Sequence, residues 1–152
     1  MMPSRVSRLI VGERLRLIHD HLQHIRALPL ADSAVFLQDQ RNVAAAESML
    51  RRALEALLDI GRHLLAKGFG APTTEYKQIA VKLREHKVLT QAEGDILFAL
   101  AGYRNLVVHL YYEVALEELY RICSTQLSDV EQVANAYRTW MKANPQLVSD
   151  EL

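Results

Sequence analysis

The chain has 152 residues, 50% of them apolar and 24% charged, with 18 basic and 18 acidic side chains. That composition fits one soluble globular domain of ordinary size, and no apolar run nears the roughly 20 residues of a membrane span. The charge balance argues against a dedicated high-affinity nucleic-acid binder, while leaving open a local basic site or one formed by oligomerisation.

The first segment, "SRLIVGERLRLIHDHLQHIRAL", places Leu9, Ile10, Leu15, Leu17, Ile18, Leu22 and Ile25 close to one helical stripe. Charges interrupt the N-terminal apolar stretch, so it does not read as a signal peptide. Pro29 marks the end of this helix. A long helical segment follows from Ala31 to Gly68, with Asp32 or Ser33 as its cap. From Asn42 onward its apolar residues Ala46, Met49, Leu50, Ala53, Leu57, Ile60 and Leu64 recur at intervals of three and four, and Gly68 and Gly70 end it. A shorter helix starts after Pro72 in "APTTEYKQIAVKLREHKVL". The next, "LTQAEGDILFALAGYRNLVVHLYYEV", opens with Thr90 three residues before Glu93, a capping box. No proline or glycine marks a break in 111–118. A last helix opens at Ser128, again three residues before a glutamate, Glu131, and carries Val130, Val133, Tyr137, Trp140 and Met141. Long and short helices joined by short loops predict one domain over 1–152. Its fold class is all-α, an antiparallel helical bundle of four to six helices, with residues 145–152 as a frayed tail.

Few residues outside one stretch suggest chemistry. His19, His21 and His24 cluster in "HDHLQH", but no second group of ligands completes a metal site, and a solvated polar face is the simpler reading. His63 and His86 sit beside basic residues near helix C-termini, where a histidine suits the dipole, and both read as structural. Cys123, the single cysteine, reads as core and fits a reducing cytoplasm. "AKGFGAP" lacks the lysine and hydroxyl residue of a phosphate-binding loop.

The stretch "YRNLVVHLYYEV", residues 103–114, concentrates an arginine, an asparagine, a histidine and three tyrosines. On a straight helix Arg104 and His109 point roughly 140° apart, so they cannot converge on one small ligand. Asn105 and His109 share a face, as do Arg104 and Tyr111, seven apart.

"RNLVVHLYYEV" resembles the R-N-x-x-x-H-x-Y signature of HepT-like toxins of the HEPN helical superfamily. The flanks resemble it too: "NVAAAESMLRRALEALLDIGRHLLA" looks like the family's long second helix. "APTTEYKQIAVKLREHKVLTQAEGDILFALAGYRN" looks like the proline–aromatic segment and the helix that leads into Arg-Asn. Most of residues 5–143 follow the family pattern. The resemblance implies an all-α, HEPN-like homodimer in the cytoplasm with a metal-independent endoribonuclease site at its interface. It implies an RNA substrate and an MNT-type nucleotidyltransferase antitoxin that transfers AMP to the toxin. It implies no cofactor, no metal, no membrane and no DNA partner. Carried over by position, Arg104 and His109 become the catalytic pair, Asn105 accompanies the arginine, and Tyr111 is the AMP acceptor, dispensable for cleavage and required for control. The family's acidic residue after the tyrosine has no clear counterpart: Ala115 stands there, flanked by Glu113 and Glu117. Two other functions fit the same helices: a non-catalytic substrate-binding or regulatory subunit of a two-part nucleotidyltransferase, and a dimerisation module whose polar residues only satisfy an interface.

Overall fold

The computed structural model of the chain describes residues 4–107 and 113–150. Helix α1 spans Arg8–Arg26 and is capped by Ser7, whose hydroxyl accepts the Ile10 N–H at 3.2 Å. Its core stripe is Val11, Leu15, Ile18, Leu22 and Ile25. Leu9 and Leu17 were expected on that stripe but are 43% and 41% exposed. Each lies two residues, about 200° of helix rotation, from a stripe residue, which turns it outward.

The segment expected as one long helix is two. Helix α2 covers Ser33–Gln38 and α3 covers Gln40–His63. Asp32 caps α2 by accepting the Ala34 N–H at 2.9 Å, and Asp39 caps α3 by accepting the Arg41 N–H at 2.9 Å. Asp39 stands in extended backbone between them. A side chain that bonds its own downstream N–H supports such a break without glycine or proline.

Helix α3 is the centre of the molecule and packs on α1 and α2 and on the later helices. Of its predicted residues Ala46, Leu50, Ala53, Leu57 and Ile60 are buried and Met49 is half-buried, while Leu64, buried too, falls in the turn that follows. A π-helical turn, Leu64–Gly68, carries the chain out of α3, and Gly70 takes a left-handed φ of 62°. Helix α4, Tyr76–Glu85, begins later than the Thr-Thr-Glu signal suggested. Thr73 is buried with its hydroxyl on the Ala71 carbonyl, so it does not cap the helix. Gly61 lets α4 and the last helix approach α3. A Cβ there would stand 2.8 Å from Leu83 Cδ1 and 2.9 Å from both Ile79 Cγ2 and the Tyr137 hydroxyl. That hydroxyl donates to the Leu57 carbonyl at 3.2 Å.

Helix α5 spans Gln91–Leu106 and has the predicted capping box. The Glu93 N–H bonds Thr90 Oγ1 at 3.2 Å and the Thr90 N–H bonds Glu93 Oε1 at 2.9 Å. Helices α6, Glu113–Thr125, and α7, Leu127–Ala143, complete the bundle. The second predicted capping box does not form. Helix α7 has Gln126 at its cap with no side-chain bond, and Glu131 instead meets Arg26 of α1 through bonds of 2.6 and 3.1 Å.

The all-α expectation holds, with seven α-helices among the described residues rather than four to six. Pro145–Leu147 form a 3-10 turn, and Val148–Ser149 (β2) pair in parallel with Val6–Ser7 (β1). Val6 and Val148 are both buried, which gives that two-residue ladder an apolar anchor. No described helix is long and apolar enough to cross a membrane.

Candidate active site at the end of α5

Arg104 and Asn105 lie in the last turn of α5, where a cation faces the negative end of the helix dipole. The helix stops at Leu106, with Val107 as its C-cap. The expected angles from Arg104 to His109 and Tyr111 fall on residues outside the described ones. His109 and Tyr111 lie outside the described residues, so of the predicted site Arg104 and Asn105 are the two whose surroundings can be read.

Three helices hold the Arg104 side chain. From α3, Glu55 Oε1 lies 3.4 Å from Arg104 Nε, and both side chains are 28% exposed. The approach is ionic. Arg104 Nε is buried and makes no hydrogen bond among the described residues. From α4, Tyr76 presents its ring, with its centroid 5.0 Å from the guanidinium carbon. Within α5, Arg104 Nη1 donates to Asn105 Oδ1 at 3.5 Å, the long limit of a hydrogen bond. The guanidinium is thus fixed at its Nε edge and on its plane. Among the described residues Arg104 Nη2 makes no hydrogen bond, and a guanidinium fork of this kind can serve phosphate oxygens.

Glu55 belongs to a polar stripe along α3. Glu47 accepts from Arg51 at 2.8 Å, and Arg51 Nη1 stands 3.7 Å from Glu55. Asp59 accepts from Arg62 Nη1 at 3.3 Å. The residues fall at intervals of three and four, so they share a face. That spacing is visible in the sequence; the arrival of Arg104 against it is not, because it joins residues about fifty apart in the chain.

The match to known proteins decides what this arrangement belongs to. Residues 11–137 match the family described as ribonuclease HepT-like. The chain belongs to that family. An mRNA nuclease, HepT, of Shewanella oneidensis is 29% identical to this HepT-like chain over 102 residues, covering 66% of this chain and 76% of that protein. A tRNA nuclease, HepT, of Aphanizomenon flos-aquae is 22% identical over 124 residues, covering 82% and 84%. Among solved structures, the tri-AMPylated Shewanella oneidensis HEPN toxin in complex with an MNT antitoxin superposes with a TM-score of 0.76 at 24% identity, covering 86% of this chain and 97% of that one. The cytosolic Bacillus subtilis protein YutE superposes with a TM-score of 0.77 at 22% identity, covering 95% and 96%. These two likenesses show that the chain shares the fold of those proteins.

The other candidates in this HepT-like chain take structural roles. No group of three or more His, Cys, Asp or Glu among the described residues is placed to hold a metal ion. His21 Nδ1 is buried without a hydrogen bond among them. Burial, with Arg52 and His24 adding repulsion, lowers the pKa of that ring. His63 corrects the dipole expectation, which calls for a charged ring. Its Nε2 accepts the Ser7 N–H at 2.9 Å, which requires the neutral form. Burial first, then Lys67 and Arg14, hold its pKa below the ordinary value. His86 ends α4 and packs against Phe69 with ring centroids 4.5 Å apart. Cys123 is buried in α6 with its thiol pushed up to about 12 by burial, so it is core and no nucleophile.

Proposed function

We propose that this chain is the toxin of a toxin–antitoxin pair: a metal-independent endoribonuclease neutralised by AMP transfer from an MNT-type nucleotidyltransferase. The observation that carries the reading is the family match over residues 11–137, with the arginine of the family motif held at the end of α5. Arg104 and His109 are the catalytic pair and Asn105 supports the arginine. The chemistry follows from their side chains. A histidine near pKa 6.5 serves as base or acid near neutral pH. As base it removes the proton of a ribose 2′-hydroxyl. The 2′-oxygen then bonds to the adjacent phosphorus, and the bond to the 5′-oxygen breaks. A protonated histidine gives that oxygen its proton, leaving a 2′,3′-cyclic phosphate and a 5′-hydroxyl. The guanidinium offers fixed charge and paired donors to the phosphorane oxygens as charge builds there. A homodimer brings two arginines and two histidines to one groove, which also gathers positive charge that a neutral chain lacks. No cofactor enters these steps. Control falls on Tyr111, whose hydroxyl attacks the α-phosphorus of ATP in the antitoxin, releasing pyrophosphate and giving up its proton. The site of action is the cytoplasm.

Purified protein is expected to cleave cellular RNA without added divalent metal. Arg104→Ala and His109→Ala should each lose cleavage and growth arrest, by a factor of about 100 or more. Intact-mass measurement after incubation with the antitoxin and ATP should show added AMP units, lost in Tyr111→Phe, which keeps its nuclease activity. Intact RNA with the unmodified wild-type dimer overturns the reading. AMP addition that survives Tyr111→Phe moves the acceptor to Tyr112.

A further inference from the structure

Two arginines, from different helices, lie over one tyrosine. Tyr76 is the first residue of α4, and its ring centroid is 5.0 Å from the Arg104 guanidinium carbon and 5.6 Å from that of Arg62. Arg62 also holds the backbone that delivers this ring. Its Nη2 donates to the Thr74 carbonyl at 3.3 Å, and its Nη1 is anchored on Asp59 of its own helix. Helix α4 has Glu75 at its N-cap without a side-chain bond, and only the Glu75 carbonyl engages locally, accepting the Ile79 N–H at 3.1 Å. The entry is instead set from α3, through Arg62 below and through the close approach that Gly61 permits one residue earlier.

We propose that Tyr76 is a positioning residue for the nuclease reaction, and that its ring face sets the plane of the Arg104 guanidinium. The inference rests on the ribonuclease reading above and extends it to a helix outside the motif. A guanidinium binds phosphate through in-plane N–H groups, so its plane decides where the fork points. Glu55 restrains the Nε edge by charge alone, without a hydrogen bond among the described residues, and so leaves rotation about that edge free. The aromatic face removes that freedom by cation–π contact. Arg62 keeps the ring in register. Because the effect is on orientation toward the charged phosphorane, it appears in turnover and not in ground-state binding.

The test is steady-state cleavage of a short single-stranded RNA by full-length wild type, Tyr76→Phe, Tyr76→Leu and Tyr76→Met. Phenylalanine keeps the π face and is expected to keep kcat within about twofold. Leucine and methionine remove it, and kcat should fall about tenfold with KM within about twofold. Methionine fills irregular space well, so it serves where leucine unfolds the helix start. Thermal melts of each variant accompany the kinetics, since a structural role alone lowers the melting temperature and leaves the kcat of the folded fraction unchanged. The inference is overturned if Tyr76→Met turns over like wild type, if only KM moves, or if Tyr76→Phe loses as much as Tyr76→Leu. A wild-type protein that cleaves no RNA overturns the ribonuclease reading instead, and the two failures are separate results.

Discussion

His63 makes a bond that a protonated ring cannot make. Its Nε2 accepts the Ser7 N–H at 2.9 Å, and burial with Lys67 and Arg14 nearby depresses its pKa. The folded state therefore binds this proton less tightly than the unfolded chain does. Stability from the group is fully present above the unfolded value of about 6.5, and it is lost as pH falls toward the folded value. Ser7 is both the α1 cap and half of the β1–β2 ladder, so acidification should loosen the N-terminal end first. Thermal melts from pH 8 to pH 5 are expected to show a steeper decline for wild type than for His63→Leu, which has no proton to gain. Parallel curves for the two proteins would remove His63 from the acid response. His21, also depressed, titrates in the same sense and leaves a residual slope in the variant. At this scale the sequence was legible where chemistry is local. Arg104 and Asn105 stand out locally by the family motif, whereas Glu55 and Tyr76 contact Arg104 across the fold and carry no local mark.

Helix termini divide into those the sequence announces and those packing decides. Thr90 and Glu93 bond reciprocally within four residues, so the start of α5 was readable. Ser128 and Glu131 have the same spacing, but Arg26 lies within reach of Glu131, and the tertiary ion pair displaces the cap. The end of α4 is a third case. Lys87 takes φ of 62°, a left-handed conformation that disfavours any residue with a Cβ. The turn is stabilised by the Val88 N–H on the Leu83 carbonyl at 2.9 Å and the Lys87 N–H on the Arg84 carbonyl at 3.0 Å. Glycine is the residue this position favours, and "HKVL" gives no sign of it. Lys87→Gly should therefore stabilise the protein by about 0.5–1 kcal/mol, after the entropy that glycine adds to the unfolded chain is set against the relieved strain. Chemical denaturation reads this as a higher midpoint at unchanged slope. A lower midpoint would mean that the lysine side chain makes a contact worth more than its backbone strain.

At the scale of the whole molecule, the proposed homodimeric site can be tested by complementation between variants. A single protomer places Arg104 against α3 and α4, with its Nε edge facing Glu55 and its guanidinium over the Tyr76 ring. If each catalytic centre combines an arginine from one protomer with a histidine from its partner, two inactive variants can repair each other. Arg104→Ala and His109→Ala, each inactive as a homodimer, are mixed, unfolded and refolded together. Half of the dimers are then mixed, and in each mixed dimer one of two cross-protomer sites has both groups intact. Recovered cleavage should be about a quarter of wild type. Sites built within one protomer recover nothing, because every such site lacks one group. The outcome also bears on charge. A chain with 18 basic and 18 acidic side chains has no surplus to hold RNA over its whole surface. A groove built from two copies concentrates arginine locally, so recovered activity should fall steeply with added salt, as expected for contacts that displace counterions. No recovery, with dimers confirmed by sedimentation, would place the arginine and histidine of each site on the same protomer.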